Sequence, residues 1–146
     1  MKIKIILILS VVLVFSSCKG KNKHMKCTQQ SAYLDSSEKD DQYLGGIKMI
    51  PIQTPKGEFK VWTKRVGNNP SIKVLLLHGG PGMTHEIYES FDGYFPNEGI
   101  EYYYYDQLGS YYSDQPKDLS LWDLDRFVEE VEQVRVALNL DKSNFY

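Results

Sequence analysis

The sequence has little cysteine, no long hydrophobic span and no excess of basic charge, and each shortage excludes a class of protein. Only two of its 146 residues are cysteine, and no Cys/His cluster has the spacing of metal ligands. The longest apolar run, Ile5–Phe15, is shorter than the about 20 residues that a membrane-spanning helix needs. The formal net charge is −2, which argues against nucleic acid as a partner. We therefore expect no metal site and no permanent membrane span.

The first residues are typical of an export signal. Lys2 and Lys4 precede the apolar run, and two serines stand directly before Cys18. This pattern predicts a signal peptide over residues 1–17. It also resembles the lipobox of bacterial lipoproteins, in which the cysteine becomes the lipidated first residue of the mature protein. The prediction is a cell-envelope protein whose lipid at Cys18 anchors it to the periplasmic or outer face of a bacterial membrane. A plain secretory signal is the alternative.

The segment after Cys18 is polar. Removal of residues 1–17 would leave 15 basic and 19 acidic residues, a formal charge of −4. Residues 18–43 show no hydrophobic period of 2 or 3.6, so we expect a flexible linker between the lipid and a folded domain. Cys27 lies in this linker, and if Cys18 carries lipid, Cys27 has no disulfide partner.

The folded part is predicted to begin near residue 44 with a β-hairpin. Ile47–Gln53 and Glu58–Val66 flank Thr54-Pro55-Lys56-Gly57, which has Pro and Gly at positions favoured in a turn. Pro51 cannot donate a hydrogen bond to a neighbouring strand. It therefore places the first strand at a sheet edge.

Two further strands are predicted to be parallel. Ile72–Leu77 is almost continuously apolar, as expected of a strand covered on both faces, and Glu101–Asp106 follows. Residues His85 to Gly93 are long enough for a short crossover helix between them. The four tyrosines at 102–105 should point alternately to the two faces, with hydroxyls that need partners where they are buried.

A long helix is predicted to follow. Ser120 with Asp123 forms a start signal, and apolar residues recur at helical spacing across Leu121–Leu138. The opposite face carries charged residues and is expected to be solvated: Glu129, Glu130, Glu132 and Arg135. Asn144-Phe145-Tyr146 is expected to open another strand. The order of elements predicts an α/β fold with a leading antiparallel hairpin and parallel βαβ strands.

A glycine-rich loop, His78-Gly79-Gly80-Pro81-Gly82, follows the buried strand directly. Ligands of open α/β sheets bind at the carboxyl ends of the strands, so this loop is a candidate site. Glycines let the backbone turn its N–H groups toward an anion or a developing oxyanion. A dinucleotide loop would need a glycine where His85 stands, and a P-loop would end in Gly-Lys-Ser/Thr. No cofactor is therefore predicted.

The sequence from His78 to His85 resembles the oxyanion loop of the proline iminopeptidase family of α/β-hydrolases. Asp106-Gln107-Leu108-Gly109, Ser113-Asp114-Gln115-Pro116 and the acidic helix Leu121–Leu138 are similar to that family in the same order. The resemblance covers roughly residues 48–146. It implies an α/β-hydrolase fold and short peptides with N-terminal proline as substrates.

The resemblance also implies roles for the loop residues. In the family, the backbone N–H of the glycine that matches Gly80 helps to hold the oxyanion, so Gly80 is the candidate catalytic residue. Gly79, Pro81 and Gly82 complete the oxyanion loop. His78 is expected to brace the loop and not to act as general base, because the triad of this fold runs Ser, Asp, His along the chain and His78 precedes any elbow serine.

The chain departs from the family after Gly109. The usual pattern resembles Gly-x-Gly-x-Ser, whereas here Ser110-Tyr111-Tyr112 leads to Ser113, with Tyr111 in place of the second glycine. A positive φ would cost tyrosine more than glycine. Either the loop takes a different path, or Tyr111 and Tyr112 line the rim of the substrate pocket.

No Gly-x-Ser-x-Gly occurs in the 146 residues, so the Ser/Asp/His triad is absent from them. In the family, a strand that opens like Asn144-Phe145-Tyr146 runs into the serine elbow. We expect residues 44–146 to be the N-terminal part of an α/β-hydrolase domain, truncated before that elbow and inactive by itself.

Three functions remain open at this stage. The leading hypothesis is a serine aminopeptidase that, when complete, releases N-terminal proline from peptides through an acyl-enzyme. The second is another α/β-hydrolase, acting on esters, amides or epoxides. The third is a non-catalytic surface lipoprotein that uses the glycine loop for binding. The open reading frame after Tyr146 distinguishes them by the presence or absence of a serine elbow.

The lipobox generates the first prediction. Expressed in a bacterium, the wild-type protein should enter the membrane fraction and take up a fatty-acid label on Cys18, whereas Cys18→Ala should be released. Cys27→Ala is the matched control and should keep both label and location. Membrane retention of Cys18→Ala, together with an unlabelled wild type, would show that the lipobox prediction is wrong.

Overall fold

A computed structural model describes residues 26–142. The predicted signal peptide, Cys18 and the strand at Asn144–Tyr146 lie outside these residues. The strands are β1 (Ile47–Thr54), β2 (Gly57–Val66), β3 (Lys73–Leu77) and β4 (Glu101–Asp106); the α-helices are α1 (Cys27–Leu34) and α2 (Leu124–Ala137); 3₁₀ turns span Gln42–Leu44, His85–Gly93, Phe95–Glu98 and Leu119–Leu121. No helix in this part of the chain is long and apolar enough to cross a membrane.

The four strands form one mixed sheet in the order β1-β2-β4-β3. β1 and β2 are antiparallel, with Thr54 opposite Gly57, which confirms the hairpin. Among the four strands, β1 pairs only with β2 and so occupies an edge, as Pro51 predicts. β3 and β4 run parallel, with Leu77 opposite Tyr105. The predicted α/β class with an antiparallel leading strand is confirmed.

The crossover between β3 and β4 is helical as predicted, but it is a 3₁₀ helix. In a 3₁₀ helix, side chains three residues apart stand above one another. Tyr88 and Phe91 are stacked in this way with ring centroids 5.8 Å apart, and Phe95 stacks on Phe91 at 4.7 Å. The aromatic column packs against Tyr102 on one face of the sheet.

The tyrosines of β4 alternate between the two faces of the sheet, as the strand period predicts. Tyr103 and Tyr105 belong to the core on the α2 side, and Tyr102 and Tyr104 to the core under the crossover. Every hydroxyl donates to a carboxylate: Tyr102 and Tyr104 to Asp92, Tyr103 to Glu101 and Tyr105 to Glu130. Burial is the largest cause that raises the pKa of all four.

Helix α2 begins later than the sequence predicts. Its N-cap is Asp123, whose carboxylate accepts from the backbone N–H of Arg126 at 3.2 Å. Ser120 instead lies in the preceding 3₁₀ turn, where its N–H donates to Asp118 at 2.9 Å. Ser120 therefore belongs to the turn and does not cap the helix.

The prediction of a solvated charged face on α2 is wrong for Glu130, which is 1% exposed. Its carboxylate accepts from the Tyr105 hydroxyl, from the guanidinium of Arg126 and, at 2.9 Å, from the backbone N–H of Leu108. Glu130 thus satisfies polar groups of β4 and the following loop that would otherwise be buried without a partner. Leu124 and Val128, which the prediction counts in the apolar stripe of the helix, are exposed.

The predicted irregular linker needs correction over residues 27–44. This segment contains α1 and a 3₁₀ turn, and it packs on the sheet through the buried Tyr33 and Asp41. The carboxylate of Asp41 accepts two hydrogen bonds from Arg65 of β2, at 2.6 and 3.1 Å. The polar composition of the segment did not predict this contact, because the residue that makes it, Asp41, is charged and would be expected at the surface. Cys27 is a free, exposed thiol.

The Asp41–Arg65 pair generates a stability prediction. Both side chains are nearly buried, so Asp41→Asn should leave the guanidinium without its counterion and destabilise the folded protein by about 3 kcal/mol or more. The neighbouring Asp40→Asn is the matched control, because Asp40 pairs with Lys48 at the surface and should change stability by only about 0.5 kcal/mol. Urea unfolding of the complete protein, the product of the whole reading frame, measures both. Equal effects would contradict the prediction.

Candidate active site

The glycine loop lies where the sequence predicts it, at the carboxyl end of β3 and beside the end of β4. Residues 79–82 are exposed, whereas His78 before them and His85 after them are buried. The loop is therefore an exposed arch between two buried ends. Such a position, at the C-terminal edge of a parallel strand pair, is the usual ligand side of an α/β sheet.

Gly80 has a backbone conformation that excludes a side chain. Its φ is +121°, and a Cβ built on it would lie 2.8 Å from the backbone nitrogen of Gly82. No residue in the range 26–142 accepts a hydrogen bond from the Gly80 N–H. Gly80 is an exposed residue, so its unpaired N–H can donate to a negatively charged ligand atom.

His78 is held by Gln107, the residue after β4. The Gln107 backbone N–H donates to Nε2 of His78 at 3.0 Å, and the Gln107 side-chain amide donates to the His78 carbonyl at the same distance. Because Nε2 accepts, the ring proton is on Nδ1, which lies 3.0 Å from the carbonyl of Gly79. Both ring nitrogens are thus used within the loop and its support, the geometry expected of a bracing residue.

His85 is held by Asp106, the last residue of β4. Nδ1 of His85 lies 2.9 and 3.0 Å from the two Asp106 carboxylate oxygens, and the His85 backbone N–H donates to the same group at 2.9 Å. Asp106 is fully buried. Sequence reasoning named both residues only as parts of motifs. The available signal was that Asp106 ends β4, and that the loop leading to His85 leaves the same edge of the sheet from the neighbouring parallel strand β3.

Tyr111 and Tyr112 form an exposed aromatic pair next to His85. Their ring centroids are 3.9 Å apart, and the Tyr112 hydroxyl donates to that of Tyr111 at 3.2 Å. This bond, with the nearby charge of Glu86, raises the pKa of Tyr111 to about 12. Tyr111 has a φ of +33°, so it takes a left-handed conformation at the position of the missing glycine. Strain of this kind is typical of functional segments.

Trp122 is a site residue that sequence reasoning missed. Its indole lies between two glycine turns: a Cβ at Gly82 would be 3.7 Å from the ring, and one at Gly109 would be 3.1 Å from it. The side chain remains 42% exposed. It therefore forms a wall shared by the glycine loop and the loop after β4. In the sequence Trp122 falls within the predicted helix Leu121–Leu138, and nothing in that pattern indicates a contact with the glycine loop.

No group of His, Cys, Asp and Glu within the described range could hold a metal ion. The site consists of a backbone donor, two braced histidines and exposed aromatic rings. Such a set can bind a substrate carbonyl and an apolar ring beside it. The 146 residues contain no Gly-x-Ser-x-Gly, so none of their serines lies in such an elbow.

Comparison with known proteins gives one fold family. Residues 73–146 match the model of the alpha/beta hydrolase fold. A proline iminopeptidase of Flavobacterium johnsoniae is 74% identical over 98 residues, which are 67% of this chain and 33% of that protein. The chain thus spans about a third of the length of the curated relatives that it matches.

Two solved structures share the architecture. A proline iminopeptidase-related protein from Thermus thermophilus superimposes with a TM-score of 0.52 and 30% identity, over 64% of this chain and 32% of that one. A haloalkane dehalogenase from Paraglaciecola agarilytica reaches a TM-score of 0.59 with 20% identity, over 68% and 32% of the two chains. The second likeness concerns the fold alone.

Proposed function

Because the chain belongs to the α/β-hydrolase fold family, we propose that the complete protein is a serine aminopeptidase that releases N-terminal proline from short peptides. The high identity with a proline iminopeptidase over two thirds of the chain supports the substrate class. The observation that carries the proposal is the Gly80 N–H in the loop after β3: it has no hydrogen-bond partner within residues 26–142 and belongs to an exposed residue, and acyl transfer in this fold needs a backbone donor at that place.

The proposed reaction divides the chemistry between this chain and the rest of the complete protein. A serine outside these residues attacks the carbonyl carbon of the N-terminal residue, and the carbonyl oxygen becomes an oxyanion that accepts from Gly80. The carbon–nitrogen bond then breaks, and the leaving amine takes the proton that the serine hydroxyl lost on attack. Water hydrolyses the acyl-enzyme and frees proline and the serine. The contribution of Gly80 develops only as the oxyanion forms, so it lowers the barrier without tightening substrate binding.

Tyr111 and Tyr112 form the rim of the substrate pocket in this proposal. Both rings are about half exposed and stand beside the loop that carries Gly80. A flat aromatic surface suits an apolar five-membered ring. The residue at 111 departs from the glycine of the family pattern, and this departure favours a second candidate, an α/β-hydrolase that accepts other esters or amides through the same loop.

The membrane anchor is also part of the proposal. Cys18 carries the lipid and tethers the domain to the cell envelope, on the periplasmic or outer face of a bacterial membrane. The charged start, short apolar run and small residues before Cys18 support it. The Lys residues that follow Cys18 suit anionic headgroups.

The substrate proposal is tested with three chromogenic reporters of the complete protein. Prolyl-p-nitroanilide should be cleaved with a kcat/KM at least tenfold above that of alanyl-p-nitroanilide, and p-nitrophenyl acetate should be cleaved slowly. Ester cleavage without proline preference would favour the second candidate. A folded protein that cleaves none of the three would favour a binding lipoprotein.

Gly80→Val tests the oxyanion donor. A side chain at Gly80 collides with the backbone at Gly82, so the N–H is displaced and kcat should fall by about a hundredfold to a thousandfold with little change in KM. Gly99→Val is the matched control and should keep kcat: Gly99 also has a positive φ, but its Cβ would meet nothing within 4 Å, and it precedes the start of β4, at the opposite edge from the glycine loop. An unchanged kcat in a folded Gly80→Val protein would remove Gly80 from the mechanism.

A further inference from the structure

One buried carboxylate joins the three segments that surround the glycine loop. Asp106 ends β4, receives the backbone N–H and Nδ1 of His85 at 2.9 Å, and receives the backbone N–H of Tyr112 at 3.4 Å. His85 ends the glycine loop, and Tyr112 belongs to the strained tyrosine segment. A fully buried carboxylate requires such donors, because its desolvation would otherwise be costly.

The ring of His85 is fixed on its faces as well as at its nitrogen. Trp62 of β2 stacks on it with centroids 4.5 Å apart, and Tyr104, Tyr111 and Tyr112 lie at 5.4, 5.7 and 5.9 Å. A side chain between four rings and a carboxylate has one available orientation. The imidazole therefore acts as a rigid spacer between β2 and the tyrosine segment.

The glycine loop has no comparable support along its length. None of residues 79–84 donates its backbone N–H to another residue of the described part of the chain. The direction of the Gly80 N–H is consequently set by the two ends of the loop. Gln107 holds one end through His78, and its neighbour Asp106 holds the other through His85.

We propose that His85 and Asp106 are positioning residues, which fix the oxyanion loop and the Tyr111–Tyr112 rim relative to each other through one shared carboxylate. They do not touch the reacting atoms. His85 is 7% exposed, with four aromatic rings within 6 Å of its own, and Asp106 is inaccessible. The catalytic part of this inference rests on the proposed function, whereas the structural coupling of the two segments does not.

Two substitutions of His85 separate its hydrogen bond from its volume. His85→Phe keeps a ring between the aromatic neighbours but removes the donor to Asp106. His85→Asn keeps a donor near the position of Nδ1. Tyr94→Phe is the control, because it changes an exposed ring near the same crossover and far from Asp106.

The first readout is steady-state kinetics of the complete protein with prolyl-p-nitroanilide, or with p-nitrophenyl acetate if the proline substrate is not cleaved. His85→Phe should lower kcat on the order of tenfold to a hundredfold with KM changed less than about threefold. His85→Asn should recover most of the loss, and Tyr94→Phe should match the wild type. A folded His85→Phe protein with unchanged kcat, or a loss that appears only in KM, would overturn the catalytic role.

The second readout is amide hydrogen exchange, which needs no activity. In His85→Phe, the backbone amides of residues 85 and 112 should exchange at least about tenfold faster together, while that of Val61 in the sheet core stays protected. Faster exchange at residue 85 alone would overturn the shared-carboxylate coupling.

If the coupling appears but no reporter is cleaved, the proposed function fails and the structural inference stands. If His85→Phe does not fold, His85→Asn decides: slow exchange and near wild-type kcat support the proposal, and loss of both in a folded protein overturns it.

Discussion

Three consecutive residues at the end of β4 bind the segments that meet at the carboxyl ends of β3 and β4. Asp106 binds the segment that begins at His85, Gln107 binds His78, and the Leu108 N–H donates to Glu130 of α2. Each contact satisfies a buried polar group that has no strand partner beyond the sheet. The glycine loop, the tyrosine segment and α2 are therefore positioned by a single short stretch of backbone.

The tyrosine-rich strand explains why two glutamates, Glu101 and Glu130, are buried beside it. A buried phenol needs an acceptor, and Asp92, Glu101 and Glu130 supply acceptors on the two faces of β4. A strand of aliphatic residues would have needed none of them. The acceptors of these hydroxyls lie partly on α2 and on the crossover. A shift of either element would therefore leave a tyrosine hydroxyl without its acceptor. This arrangement specifies one packing of the elements where apolar contacts alone would permit several.

The elements that were predictable were those fixed by local chemistry. The Pro-Gly turn fixed the hairpin, Pro51 fixed the edge, and continuous apolar residues fixed β3. The burial of Glu130 could not be predicted, because it depends on a hydroxyl of β4 and an amide of the loop after it. The start of α2 was predicted too early, because the Ser120 N–H is bound by Asp118 in a separate turn. The glycine loop was located from its sequence. The Asp106–His85 pair and the place of Trp122 were not, because spacing along the chain carries no information on which loops meet across two strands.

Helix α1 and the Asp41–Arg65 pair lie at the edge of the sheet opposite the glycine loop. They lie where β2 ends and β3 and β4 begin, whereas the glycine loop lies where β3 and β4 end. Strands of five to six residues separate these edges by roughly 17–20 Å. A molecule that binds the domain at α1 would therefore lie at the edge of the sheet away from the glycine loop, and it would leave the exposed residue Gly80 uncovered.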